Sequence, residues 1–269
     1  MTVSPHALDA AVALTPAGAH RFTGHTHPAY SNMVGPFGGT IAATLLNGVL
    51  SHPERLGDPL SLTVHYAAPI TDGAFEVHAR PMRTNRSTQH WLVELRQGDA
   101  VAAFATVLTA VRRDTWSATD AVFPSVPSAE SLPRHPGVFR TEWPKAYDMR
   151  FTDGEQVLDN VVRDDAVTRV WLLDEPPRPL DFLALSAICD AFIPRVFVRR
   201  SRAVPAGTVT LTVYFHADAA LLAAQGTAHV LGCAKGLRYS QGFHDQTAEI
   251  WSAQGDLLAV GHQVVYFKE

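Results

Sequence analysis

Alternation between apolar and polar positions dominates this chain. The runs "LSLTVHYAAPI", "AFEVHARPMRT", "STQHWLVELRQ" and "AVAAFATVLTAVRR" fill residues 60–113 almost end to end. Each is rich in β-branched and aromatic residues and is bounded by turn formers such as Thr71-Asp72-Gly73 and Gln97-Gly98-Asp99. Four such runs joined by short turns predict successive antiparallel strands. Before them, "GGTIAATLLNGVL" is apolar on nearly every side, which predicts a buried helix from about Gly39 to Leu50.

The same order recurs further on. The helix "LDFLALSAICDAFI" (180–193) precedes "TVTLTVYFHAD", "TAHVLGCAKGLRY", "FHDQTAEIWSA" and "LLAVGHQVVYF". Short β-rich runs near Arg21–Thr26 and Arg169–Leu173 precede the two helices. The halves match locally as well: "SLTVHYA" at Ser61 pairs with "TLTVYFH" at Thr210, and "QGDAVAAFATVLTAV" at Gln97 pairs with "QGDLLAVGHQVVYFK" at Gln254. Repetition over more than a hundred residues means a duplicated domain. Between the halves lie Pro124, Pro127, Pro133, Pro136 and Pro144, which exclude regular helix and central strand. The predicted organisation is an N-terminal module over 1–112, a proline-rich linker over 113–165 running across the surface, and a C-terminal module over 166–269.

An antiparallel sheet can curl around a buried helix, and that unit is the hotdog fold. Two copies in one chain make an α+β double hotdog, with the two sheets joined side by side so that exposed edges close.

Composition narrows the function classes. A net charge of −4 argues against nucleic acid and membrane surface as partners. No apolar run approaches membrane-spanning length, and the start "MTVSPHALDA" lacks the basic-then-apolar pattern of a secretory signal. Two cysteines, Cys189 and Cys233, make no disulfide framework, which suits a cytoplasmic setting. There is no G-x-S-x-G elbow, P-loop or dinucleotide fingerprint. His25 and His27 share a strand face but have no third ligand near them in sequence.

One carboxylate stands out. Asp190 interrupts "LSAICDAFIPR", a run otherwise fit for an interior, and a buried carboxylate requires polar partners or water. At helical spacing, Ser186 and Asp190 form one polar stripe. At Gly38-Gly39, the start of the first helix offers unpaired N–H groups and no side chain to obstruct a ligand.

"GPFGGTIAATLL", "SAICDAFIPR", "TVTLTVYFH" and "GDLLAVGHQ" together resemble the acyl-CoA thioesterase II family, whose members are double hotdogs. The likeness spans nearly all of both halves. It implies hydrolysis of acyl-CoA to fatty acid and coenzyme A, within fatty acid metabolism. In that family an Asp, a Thr or Ser, and a Gln hold the attacking water. Here these roles fall on Asp190, Thr208 and Gln263, although strand alternation places Thr208, Thr210 and Thr212 on one face and leaves all three in contention. The amides at Gly38 and Gly39 would then form the oxyanion hole, and Arg83 and Arg86 could meet coenzyme A phosphates. No metal or tightly bound cofactor is implied, and double hotdogs of this kind often associate into homo-oligomers. A non-catalytic acyl-CoA-binding protein and a hotdog enoyl-CoA hydratase are the competing readings.

The halves complement one another in sequence. Asn47 stands where the second half has Asp190, Thr106 where it has Gln263, and Asp181-Phe182 where the first half has the glycines. A single composite site between the modules is the expectation.

Overall fold

The computed structural model describes residues 5–137 and 140–269. Positions 1–4 of the expected N-terminal module and 138–139 of the expected linker lie outside the described residues. The N-terminal half contains α1 (Ala7–Ala11), β1 (Thr15–Pro16), β2 (Arg21–His25), α2 (Gly38–Leu50), β3 (Asp58–Tyr66), β4 (Ala74–Thr84), β5 (Thr88–Gln97) and β6 (Ala100–Ala110). The C-terminal half contains β7 (Tyr147–Asp153), β8 (Thr168–Asp174), α3 (Phe182–Ile188), α4 (Arg195–Arg200), β9 (Ala206–Phe215), α5 (Ala219–Gln225), β10 (Val230–Lys235), β11 (Tyr239–Ser240), β12 (Phe243–Trp251) and β13 (Leu257–Phe267). The eight long strands expected from alternation all form.

One continuous antiparallel sheet results, in the order β1-β2-β4-β5-β6-β3-β9-β13-β12-β10-β8-β7, with β11 on β12. Its seam is β3 against β9, where Thr63 lies opposite Thr212 and their hydroxyls hydrogen-bond at 3.1 Å. These two residues are matched in the duplicated segments, so the internal twofold relation passes between them. The sheet curls around α2 and α3. Ala42, Leu45, Leu46 and Val49 from α2 meet Leu185 and Ile188 from α3 in one core with Leu62, Val64, Leu211 and Val213. Removal of this apolar surface from water is what drives a sheet to wrap a helix. The fold is the double hotdog.

Two expectations need correction. The stretch read as a linker has no helix or strand from 111 to 128, but it does not remain a surface connection. Trp143 is buried and stacks on Phe37 with ring centroids 4.3 Å apart, and Tyr147–Asp153 joins the sheet as edge strand β7 beside β8. The prolines end at Pro144, and the "YDMRFTD" that follows has every N–H that a ladder needs. The second helix also stops early. Past Ile188 the N–H of Asp190 donates to Ala187 O at 3.1 Å and that of Ala191 to Ile188 O at 2.9 Å, in three-residue turns. Pro194 disfavours helix at the residue before it. Ser186 and Asp190 therefore share no helical stripe, and the Ser186 hydroxyl donates to Phe182 O at 2.6 Å.

Candidate active site

The turn after α3 points Asp190 at the first turn of α2, in the other half of the molecule. The carboxylate is 8% exposed and accepts a hydrogen bond from Gln263 Nε2 at 2.7 Å on Oδ1. Gln263 is itself buried on the inner face of β13, and its Oε1 accepts from Thr208 Oγ1 at 3.3 Å. Only one orientation of the amide satisfies both neighbours, since the nitrogen must donate to the carboxylate and the oxygen must accept from the hydroxyl. The expected Asp, Gln and hydroxyl thus form one chain: Thr208 to Gln263 to Asp190.

A β-bulge decides which threonine takes part. On β13, Val264 pairs with Thr210 but the next residue, Val265, pairs with Thr208, so Val209 is skipped. Val265 is 2% exposed and Val264 40% exposed, so they lie on opposite faces of the sheet. The extra residue turns Thr208 inward, while Thr210 and Thr212 stay outward beside Val264 and the exposed His262. Simple alternation had put all three threonines on one face.

The other side of the carboxylate is the glycine pair. A Cβ added at Gly38 would sit 2.6 Å from Asp190 Oδ2, and one at Gly39 would sit 2.5 Å from Ala187 O. Both glycines are required for this closeness, whatever their conformational freedom. Phe37, at the head of α2, supplies no side-chain cap. Asp190 takes that place from the opposite module, facing the helix N-terminus with the Gly39 amide stabilising its charge. Burial is nevertheless the dominant influence and pushes the Asp190 pKa up to about 7, with Gln263 and the Gly39 amide opposing it. A carboxylate poised there can take a proton from water near neutral pH.

Tyr66, at the end of β3, was not anticipated. Its hydroxyl donates to Gly38 O at 2.9 Å, and burial with the Asp190 charge keeps the phenol protonated. In sequence it only closes the "SLTVHY" strand, and nothing in the alternation signals that it reaches the helix start.

The remaining candidates stay apart from this group. Arg83 and Arg86 are exposed on the β4–β5 hairpin, where Arg83 Nε donates to Asn85 Oδ1 at 2.9 Å. Among the described residues no three His, Cys, Asp or Glu gather as metal ligands. A cavity of about 360 Å³, lined by residues including Asp153, Glu155, Arg163 and Arg169, shares no residue with the Asp190 group. A smaller one, about 20 Å³, runs beside α2 between Tyr30, Pro36, Thr40, Ile41, Thr44 and Phe75, next to the glycine pair.

The mirror position is built differently. Stepping outward from the seam, Leu62 pairs with Val107 as Leu211 pairs with Gln263, and Thr63 pairs with Thr106 as Thr212 pairs with His262. The counterpart of Gln263 is therefore the buried Val107, and the assignment to Thr106 was one residue off. The cause is a hairpin one residue longer in the second half: 96–102 lie between the paired Leu95 and Ala103, against 251–258 between Ile250 and Ala259. Asn47 donates to Val12 O at 2.8 Å, and Asp181 caps its own helix by accepting from Ala184 N at 2.8 Å.

Comparison with known proteins agrees with this architecture. The acyl-CoA thioesterase N-terminal domain family matches residues 27–111, and the acyl-CoA thioesterase C-terminal domain family matches residues 123–267. A conserved hotdog-fold protein of unknown function from Alicyclobacillus acidocaldarius is 47% identical over 99% of both chains, with a TM-score of 0.94. The tesB protein of Mycobacterium avium subsp. paratuberculosis (18% identity, 97% of this chain and 98% of that one) has a TM-score of 0.80. Acyl-CoA thioesterase II TesB2 of Mycobacterium marinum (15% identity, 97% and 98%) reaches 0.76. No curated protein matches the chain.

Proposed function

The chain belongs to the acyl-CoA thioesterase family and is a thioester hydrolase; from that premise we propose that it splits acyl-CoA into fatty acid and coenzyme A by direct attack of water at Asp190. The observation that carries this reading is the buried Thr208–Gln263–Asp190 chain facing the bare start of α2. Oδ1 is held by Gln263, which leaves Oδ2 to orient a water and accept its proton. Attack on the thioester carbonyl gives a tetrahedral oxyanion, which the N-terminus of α2 would stabilise through the Gly38 amide, since the Gly39 amide faces Asp190. Asp190, now protonated, returns the proton to the departing sulfur as the carbonyl re-forms. Arg83 and Arg86 would meet coenzyme A phosphates where they extend along the surface.

The test is thiol release from a panel of acyl-CoAs by the wild-type protein and by Asp190→Asn. Release that the variant loses supports hydrolysis. Binding without release favours a carrier, and hydration of an enoyl-CoA without release favours a lyase.

A further inference from the structure

Asp190 depends on how the first peptide of α2 is oriented, and no side chain of its own helix caps that end. Phe37 provides no side-chain cap, and two successive glycines give the first turn little intrinsic helix preference. Yet the Gly38–Gly39 peptide must present its N–H to a carboxylate in the other module. We propose that Tyr66 is a positioning residue for the hydrolytic site: its hydroxyl grips the Gly38 carbonyl and so keeps the Gly39 N–H of the same peptide facing Asp190.

The argument rests on the planarity of the peptide. A trans amide directs its C=O and N–H in opposite senses, so fixing one end fixes the other. The Tyr66 Oη–Gly38 O contact is 2.9 Å. The Tyr66 oxygen and Asp190 Oδ2 lie 3.4 and 2.6 Å from one point, the position a Cβ on Gly38 would occupy. Tyr66 ends β3, one of the two seam strands, and that strand is anchored through Leu62 and Val64 in the core. The clamp thus ties the helix start to a seam strand of the sheet. Its effect on the carboxylate can be isolated, because the other titratable groups facing Asp190 stay neutral. These are Tyr66 itself, Tyr147 from β7 and the adjacent Cys189, each with burial pushing its pKa up.

This inference rests on the proposed hydrolysis for its kinetic arm only. The experiment follows the Asp190 carboxyl by ¹³C NMR across pH in wild type, Tyr66→Phe and Tyr30→Phe, with thiol release measured on the same samples. Tyr30→Phe removes a buried hydroxyl that has no hydrogen-bond partner and controls for the loss of a phenol oxygen alone. With the clamp gone, the Gly39 amide supports the charged form less well, so in Tyr66→Phe the Asp190 titration and the acid limb of kcat/KM should rise by about one pH unit. Above that limb kcat should fall roughly tenfold with KM within about twofold, as expected for misplaced transition-state support. Tyr30→Phe should leave the titration where it is. An Asp190 titration that is unmoved or lowered in Tyr66→Phe, or raised equally in Tyr30→Phe, overturns the clamp. A raised titration in a protein that releases no thiol from any acyl-CoA keeps the clamp and overturns the hydrolase reading instead.

Discussion

The two halves share one fold, but their two helix starts are closed in different ways. Where α2 begins, two glycines leave the helix end bare and a carboxylate from the other module closes it. Where α3 begins, Asp181 caps the helix from within and is further held by Arg178. At the first end a buried amide, Gln263, supports the carboxylate; at the second the equivalent position is Val107. A helix N-terminus is an anion site only while it is not already satisfied. Duplication supplied two such ends. Divergence satisfied one locally and left the other to be satisfied across the interface, where the group that satisfies it can also react.

The largest expected effect on this contrast comes from Asp190→Asn, which should lower thiol release by on the order of 10²–10⁴-fold. The mirror change Asn47→Asp should gain no activity, because Asp181 already occupies the α3 end. Asp190→Asn should also stabilise the fold at pH 8. The folded carboxyl holds its proton to about pH 7, whereas its ordinary value is 3.8, so stability is lost as pH rises across that window. The gain in Tm should therefore shrink toward pH 4, and a scan at several pH values checks it.

Next comes Gly38→Ala, whose Cβ would lie 2.6 Å from Oδ2 and must displace the carboxylate. Steady-state kinetics should show about a 10²-fold loss. The counterpart Asp181→Ala should leave kcat unchanged and cost about 1 kcal/mol in denaturant unfolding, the worth of a lost cap.

Gln263→Leu removes a group that opposes the burial effect. The acid limb of kcat/KM should then move above pH 7, with much of the rate recovered at higher pH. The smallest contrast is within β9. Thr208→Val should slow turnover several-fold through Gln263, whereas Thr212→Val, which loses only the seam bond to Thr63, should leave turnover as it is.

Much of the fold was legible because its signals are local. Period-two runs gave the long strands, and a helix apolar all round required a sheet to wrap it. The buried carboxylate was legible too, since Asp190 had no other reason to interrupt its run. What eluded sequence was set by one-residue events. The bulge at Val209 that turns Thr208 inward and the longer β12–β13 hairpin that makes Val107, not Thr106, the counterpart of Gln263 leave the hydrophobic pattern almost unchanged. Strand β7 was obscured by the prolines that precede it, and the early end of α3 by apolar residues that continue past it.

By itself, then, the sequence determined the duplication, the long strands and the central helix of each module, and which residues could not rest in a core without company. Tertiary structure decided who that company would be. Contacts such as Asp190 with Gly38 and Gln263, or Tyr66 with Gly38, join residues far apart in the chain, and their geometry depends on register and on where one helix stops against another. Side-chain direction reverses with every single-residue shift along a strand, so local preference can propose the parts of this site but only the packed sheet can orient them.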